Sequence, residues 1–169
     1  MMNLTQLEEQ KKILVERFGL FMEKQENLSP IGGRIFATLF MNKEKGVTFD
    51  DLVHFLSASK STISTNLQNL TKSNMIVYHT KPGDRKKYYT LSPSGFLARI
   101  EEKITDYKTE HTLVTQILDH QKLTHELTNE KEEQYEGNQE NPYLDYLSNT
   151  VSILEQLRDE IKGKCSLVP

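Results

Sequence analysis

The chain has 169 residues, 36% of them hydrophobic and 27% charged, with a formal net charge of −3. A chain of this size buries a core as one domain, or as one domain with an appendage, and no stretch approaches the roughly 18 consecutive apolar residues of a membrane-spanning helix. The segment from Met1 to Leu20 lacks the apolar centre of a signal peptide and the single cysteine, Cys165, has no intrachain partner, so the expected compartment is the cytoplasm.

The first predicted element is an amphipathic helix over Leu4–Lys24, in which Leu4, Leu7, Leu14, Phe18 and Phe21 recur at helical spacing. Asn27 to Ser29 breaks it. Ser29 followed by Pro30 reads as an N-cap with proline at the first helical position, and Ile35, Phe36, Leu39 and Phe40 carry a second helix to about Asn42. Gly32 and Gly33 in its first turn suit close helix contact rather than ligand binding. Gly46 marks a loop. Thr48-Phe49-Asp50-Asp51 then forms a capping box, with aspartate in the place of glutamate, that opens the next helix.

The stretch from Asp51 to Ile76 reads as two short helices around a tight polar turn. Leu52, Phe55 and Leu56 give the first helix an apolar side, Ser57, Ala58 and Ser59 interrupt it, and Ile63, Leu67 and Leu70 begin a new stripe. Opposite that second stripe lie Ser61, Thr65, Gln68 and Lys72, flanked by Thr62, Ser64 and Asn69. No acidic residue occurs from Ser57 to His79. A solvated helix face ordinarily mixes glutamate with lysine. A face of hydroxyls, amides and lysines suits base edges behind a row of phosphates. Met75–Thr80 and Lys86–Leu91 are β-prone and flank a turn around Pro82-Gly83, and the second half of this hairpin carries Lys81, Arg85, Lys86 and Lys87 against the single acid Asp84. A basic hairpin directly after a recognition-type helix is a wing, placed to lie over phosphates or reach a minor groove.

Ser92-Pro93 starts a long helix in which Leu97, Ile100, Ile104, Tyr107, His111, Val114 and Leu118 form a heptad seam. A polar break runs from Thr128 to Glu140. Asn141-Pro142 opens a last helix with a second seam, Tyr143, Leu147, Thr150, Leu154, Leu157 and Ile161. Two such stripes must pair, with each other or with a second subunit. Charge is distributed unevenly: Lys43–Leu91 holds eight Lys/Arg against four Asp/Glu, whereas Ile100–Pro169 holds seven against fifteen. A basic centre on acidic flanks orients one face towards a polyanion.

The run Leu52, Leu56, Ser59, Ile63-Ser64, Leu67, Leu70, Ile76, Asp84-Arg85 and Leu91-Ser92-x-x-Gly95 resembles the winged helix of the MarR family. Pro30-Ile31-Gly32-Gly33-Arg34-Ile35 and the wing from Lys81 to Tyr89 resemble, more narrowly, its GbsR-type branch. The likeness covers Gly19 to Gly95, and the wing between Asp84 and Leu91 is slightly shorter than in the broader pattern. It implies a homodimeric DNA-binding repressor from a group in which some members sense choline or other small molecules.

The expected fold is mainly α with a small β-hairpin wing: a winged helix-turn-helix domain plus a helical dimerisation region. Residues 1–28 form an N-terminal helix for packing or dimerisation, 29–92 the DNA-binding domain, and 93–165 the dimerisation helices. The DNA-contacting set is Ser59, Lys60, Ser61, Thr62, Ser64, Thr65, Gln68, Asn69, Lys72, Lys81, Arg85, Lys86 and Lys87. Two modules related by a dyad would span half-sites of a palindromic double-stranded operator about one helical turn apart. The rival reading is a winged-helix interaction module that docks an acidic protein. No phosphate loop, nucleophile elbow, paired-carboxylate motif or metal-type histidine pair is present in the sequence, so neither catalysis nor a cofactor is expected. Phe18, Phe21, Phe36, Phe40, Tyr88, Tyr89 and Tyr107 could line a small-molecule pocket, although core packing accounts for most of them.

Overall fold

Local capping decides where most helices begin. A computed structural model of the chain describes residues 3–42, 46–128 and 141–165. Helix α1 (Leu4–Glu26) opens on a box in which Asn3 accepts from the Gln6 amide and Gln6 accepts from the Asn3 amide, and it closes on Asn27 in the left-handed region. Helix α2 (Pro30–Met41) is capped by the Ser29 hydroxyl, which accepts from the Gly32 amide at 3.0 Å. Strand β1 (Val47–Thr48), helices α3 (Phe49–Leu56) and α4 (Lys60–Lys72), strands β2 (Ile76–His79) and β3 (Tyr88–Leu91), and helices α5 (Pro93–Thr128) and α6 (Pro142–Cys165) follow. Most of the polar break expected over Thr128–Glu140 lies outside the described residues. The chain divides into two compact units, Met1–Gly95 and Phe96–Pro169.

In the first unit α2 is the central helix. Ile35, Phe36 and Leu39 pack with Leu52 of α3, Ile63, Leu67 and Leu70 of α4, and Met75 and Ile76 at the start of β2. Helix α1 lies on α2 at a crossing only glycine allows: a Cβ on Gly33 would sit 2.4 Å from the carbonyl oxygen of Gly19. Beside it the Arg34 guanidinium grips Glu16 through two bonds of 2.6 and 2.5 Å. That bond holds the Glu16 carboxyl below its ordinary range and raises Arg34. This crossing corrects the sequence reading of α1. The buried face is Val15, Gly19 and Met22, while Leu4, Leu7, Leu14 and Phe21 of the expected stripe are between 41% and 82% exposed. A small residue at position 19 selects which face can approach α2.

The sheet has three antiparallel strands in the order β1-β3-β2, with Val47 opposite Tyr89 and Ile76 opposite Leu91. The hairpin was expected; β1 was not, because two residues carry no periodicity and become a strand only by pairing with β3. After Ile76 the hairpin leaves the core, so Val77 and Tyr78 are exposed. The result is a winged helix-turn-helix, mainly α with a small sheet.

The capping box at α3 forms as the sequence indicates. The Asp51 carboxylate accepts from the Thr48 amide at 3.1 Å and hydroxyl at 2.6 Å, and the Thr48 hydroxyl accepts from the Asp51 amide at 3.2 Å. The Thr48 hydroxyl is the main reason the Asp51 carboxyl is held below its ordinary value of 3.8. A depressed carboxylate stabilises the fold at neutral pH and loses that contribution as pH falls through its folded value. Thr48→Val should therefore cost about 1 kcal/mol at pH 7. The gap from wild type should narrow in acid below 3.8. Urea denaturation at both pH values checks this; a gap that widens in acid would contradict it.

A second tight junction closes the unit. Asn74, left-handed at φ 56°, follows α4. The buried Ser92 hydroxyl donates to the Asn74 side-chain oxygen at 2.9 Å and accepts from the Gly95 amide at 3.0 Å, while the Ser92 amide donates to the Met75 carbonyl. Gly95 sits so close beneath this turn that a Cβ there would lie 1.7 Å from the Asn74 carbonyl oxygen.

In the second unit α5 and α6 run antiparallel. Glu101 pairs with Lys162 at 2.9 Å, Lys108 pairs with Glu155 at 2.7 Å, and the Tyr143 hydroxyl donates to Glu110. Of the two predicted seams, Ile100, Ile104 and Leu147 are buried. His111 is half-buried in its seam.

Candidate nucleic-acid interface

The turn from α3 to α4 is made by Ser57 in the left-handed region at φ 50°, then Ala58, then Ser59 as the N-cap of α4. Ser59 Oγ accepts from the Thr62 amide at 3.1 Å and lies 2.9 Å from Ser61 Oγ and 2.8 Å from Thr62 Oγ1. Its hydroxyl is thus engaged in capping and in a small hydroxyl cluster. Inside, α4 is held by Ile63, Leu67 and Leu70 and by Asn66. The Asn66 side chain donates to the Thr62 carbonyl at 2.8 Å and accepts from the Ser29 hydroxyl, tying α4 to the start of α2. Asn66 was not singled out in the sequence, where it reads as one more polar residue.

With the inner face fixed, Lys60, Ser61, Thr65, Gln68, Asn69 and Lys72 are exposed, while Thr62 and Ser64 are half-buried at the edges. The backbone carries this face in one register, so exposed hydroxyls and amides lie between Lys60 and Lys72 along about three turns of helix.

The wing is ordered by Tyr88. The Asp84 carboxylate accepts from the Lys86 amide at 2.9 Å and from the Tyr88 hydroxyl at 2.7 Å, so it is held below its ordinary range by the backbone bond first and the phenol second. The same bond raises the Tyr88 phenol. The single acid of the wing therefore braces the turn. Lys81 lies over the Tyr88 ring at 3.8 Å, and His79 stacks on it at 5.8 Å. On the other side of the hairpin Lys87 lies over the Tyr78 ring at 4.0 Å. Arg85 and Lys86 are exposed at the tip, and Lys86 lies near both Asp84 and Asp51. Tyr78 is the residue that sequence reasoning left out. It is exposed although Ile76, two residues earlier in the same strand, is buried.

Phe18 contacts Phe21, Phe36 and Phe40 at α1 and α2, Tyr88 and Tyr89 belong to the sheet, and Tyr107 lies in the second unit against Tyr146. Among the described residues no group of three or more His, Cys, Asp or Glu side chains is placed to hold a metal ion. Among them, too, no helix is long and apolar enough to cross a membrane.

No protein-family model matches the chain. The chain is 31% identical over 90 residues to the HTH-type transcriptional regulator MmpR5 of Mycobacterium tuberculosis (strain ATCC 25618 / H37Rv). That match takes in 53% of this chain and 54% of MmpR5, so the chain spans about half the length of this curated relative. Among solved structures, a crystal structure of a transcriptional regulator superposes with a TM-score of 0.48 at 20% identity, covering 92% of this chain and 95% of that one. The S. aureus MepR–DNA complex superposes with a TM-score of 0.40 at 22% identity, covering 76% and 96%.

Proposed function

We propose that this chain is a sequence-specific, double-stranded-DNA-binding transcriptional regulator that works as a homodimer. The observation that carries the reading is the outer face of α4, with Ser61, Thr65, Gln68, Asn69 and Lys72 exposed and no carboxylate from Ser57 to His79. The wing beside it adds Lys81, Arg85, Lys86 and Lys87 and engages its one acid internally. The partial likeness to MmpR5, itself an HTH-type transcriptional regulator, agrees with this reading. The resemblance to the MarR family and its GbsR-type branch extends it to a repressor of a palindromic operator with a small-molecule effector, choline being the first to try. In this scheme residues 29–92 bind DNA, while 93–165, with help from 1–28, form the dimer.

Binding to duplex DNA measured across salt concentrations tests the reading. A dimer that contacts about 6–10 phosphates should give a log–log salt slope of about −5 to −9. A flat response, with no genomic fragment bound, would favour docking of an acidic protein on the same basic face. A mutational contrast follows. Thr65→Ala and Gln68→Ala should relax sequence preference at a cost of about 1–3 kcal/mol each, whereas Lys86→Ala should weaken operator and random DNA alike. If instead the lysine change alters preference and the helix changes do not, α4 does not read the bases.

A further inference from the structure

A groove of about 470 Å³ opens between α4 and the wing. Its α4 wall offers Ser64, Gln68 and Lys72, and its sheet wall offers Tyr78, Lys87 and Tyr89. Tyr78 and Tyr89 face each other across the β2–β3 ladder with ring centroids 5.8 Å apart. Tyr78 is 46% exposed, and the Lys87 ammonium rests 4.0 Å from the centre of its ring. The described lining contains two lysines and no acid.

We propose that this groove seats a phosphodiester of a bound DNA strand, and that Tyr78 is the positioning residue that holds the Lys87 ammonium on it. The inference rests on the DNA-binding reading and adds a site to it. Lys72 lines the groove from the helix and Lys87 from the hairpin. An anion between them is met from both walls, and the Ser64 hydroxyl and Gln68 amide supply neutral donors. The groove shares Gln68 and Lys72 with the exposed face of α4, so a strand whose bases meet Thr65 and Gln68 would bring its backbone to this position. A free lysine chain samples many rotamers. The Tyr78 ring restricts Lys87 before DNA arrives, so less ordering remains at binding.

The test uses the full chain, a duplex that wild type binds, and a random duplex. Lys87→Met should reduce the steepness of the log–log salt slope by about 0.9 for each bound subunit, because one phosphate is no longer neutralised. Tyr78→Leu should leave that slope unchanged, since no charge is lost, and weaken both duplexes about two- to fivefold per subunit. Tyr78→Phe keeps the ring and should bind like wild type. A merely structural role for Tyr78 would lower the melting temperature and would not separate leucine from phenylalanine at equal stability. A Lys87→Met slope equal to wild type, or a Tyr78→Leu affinity equal to wild type, would overturn the groove assignment. So would Tyr78→Phe binding as weakly as Tyr78→Leu. Failure of the wild-type chain to bind any duplex overturns the DNA-binding reading itself, which is a separate result.

Discussion

Alanine at Gly95 is expected to destabilise the protein by at least about 3 kcal/mol, the upper part of the range for overpacking. For a chain of this size that is a fall of roughly 10 °C in melting temperature. The obstacle is backbone: the added carbon would lie 1.7 Å from the Asn74 carbonyl oxygen and 2.8 Å from its carbonyl carbon. A flexible side chain could swing aside, but this carbonyl belongs to a turn held by Ser92 and by the left-handed Asn74. Relief requires the first turn of α5 to move away from the end of α4. Gly163→Ala is the control. Nothing lies within 4 Å of a Cβ there, and the position is exposed in α6. Helix propensity should then raise stability by about 0.5–1 kcal/mol. Thermal melts of the two variants should move in opposite directions; a Gly95→Ala protein that melts with wild type would show that the junction is looser than described.

The second large effect concerns assembly. In the second unit Leu113, Ile117 and Ile153 are between 54% and 64% exposed, although the seam residues Ile100, Ile104 and Leu147 are buried. So many exposed aliphatic side chains on one helix pair support the proposed dimer. Ile117→Glu and Ile153→Glu should leave the helix pair folded, because neither side chain contributes to its buried core. Each should place an unpaired carboxylate in the dimer contact, at a cost of several kcal/mol, and so release monomer. Loss of the second recognition helix should lower operator affinity about a hundredfold or more. Leu147→Glu, at a position with no exposure, should instead unfold the pair. Light scattering and circular dichroism separate these outcomes. A wild-type monomer at micromolar concentration, or dimeric Ile117→Glu and Ile153→Glu proteins, would sink the dimer.

The helices and the candidate reading face were legible before any coordinates because their causes are local. Ser29 with Pro30 and Thr48 with Asp51 each satisfy amide groups within three residues, and those bonds form where the sequence places them. The stripe Ile63, Leu67 and Leu70 sets the rotation of α4, so the polar set opposite it follows from helical geometry alone. Gly33 also reads correctly as a close-contact glycine, but its partner Gly19 does not stand out from the residues around it. Tertiary contact decided the rest. Which face of α1 is buried depends on the Gly19–Gly33 crossing and the Glu16–Arg34 bond, so Leu7, Leu14 and Phe21 look like core in sequence and are left outside in the fold. Strand β1 exists only because Tyr88 and Tyr89 lie alongside it. Tyr78 is 46% exposed although Ile76, two residues earlier in the same strand, is fully buried. Hydrogen bonds that span three or four residues are encoded where they form, whereas burial depends on what arrives from far along the chain.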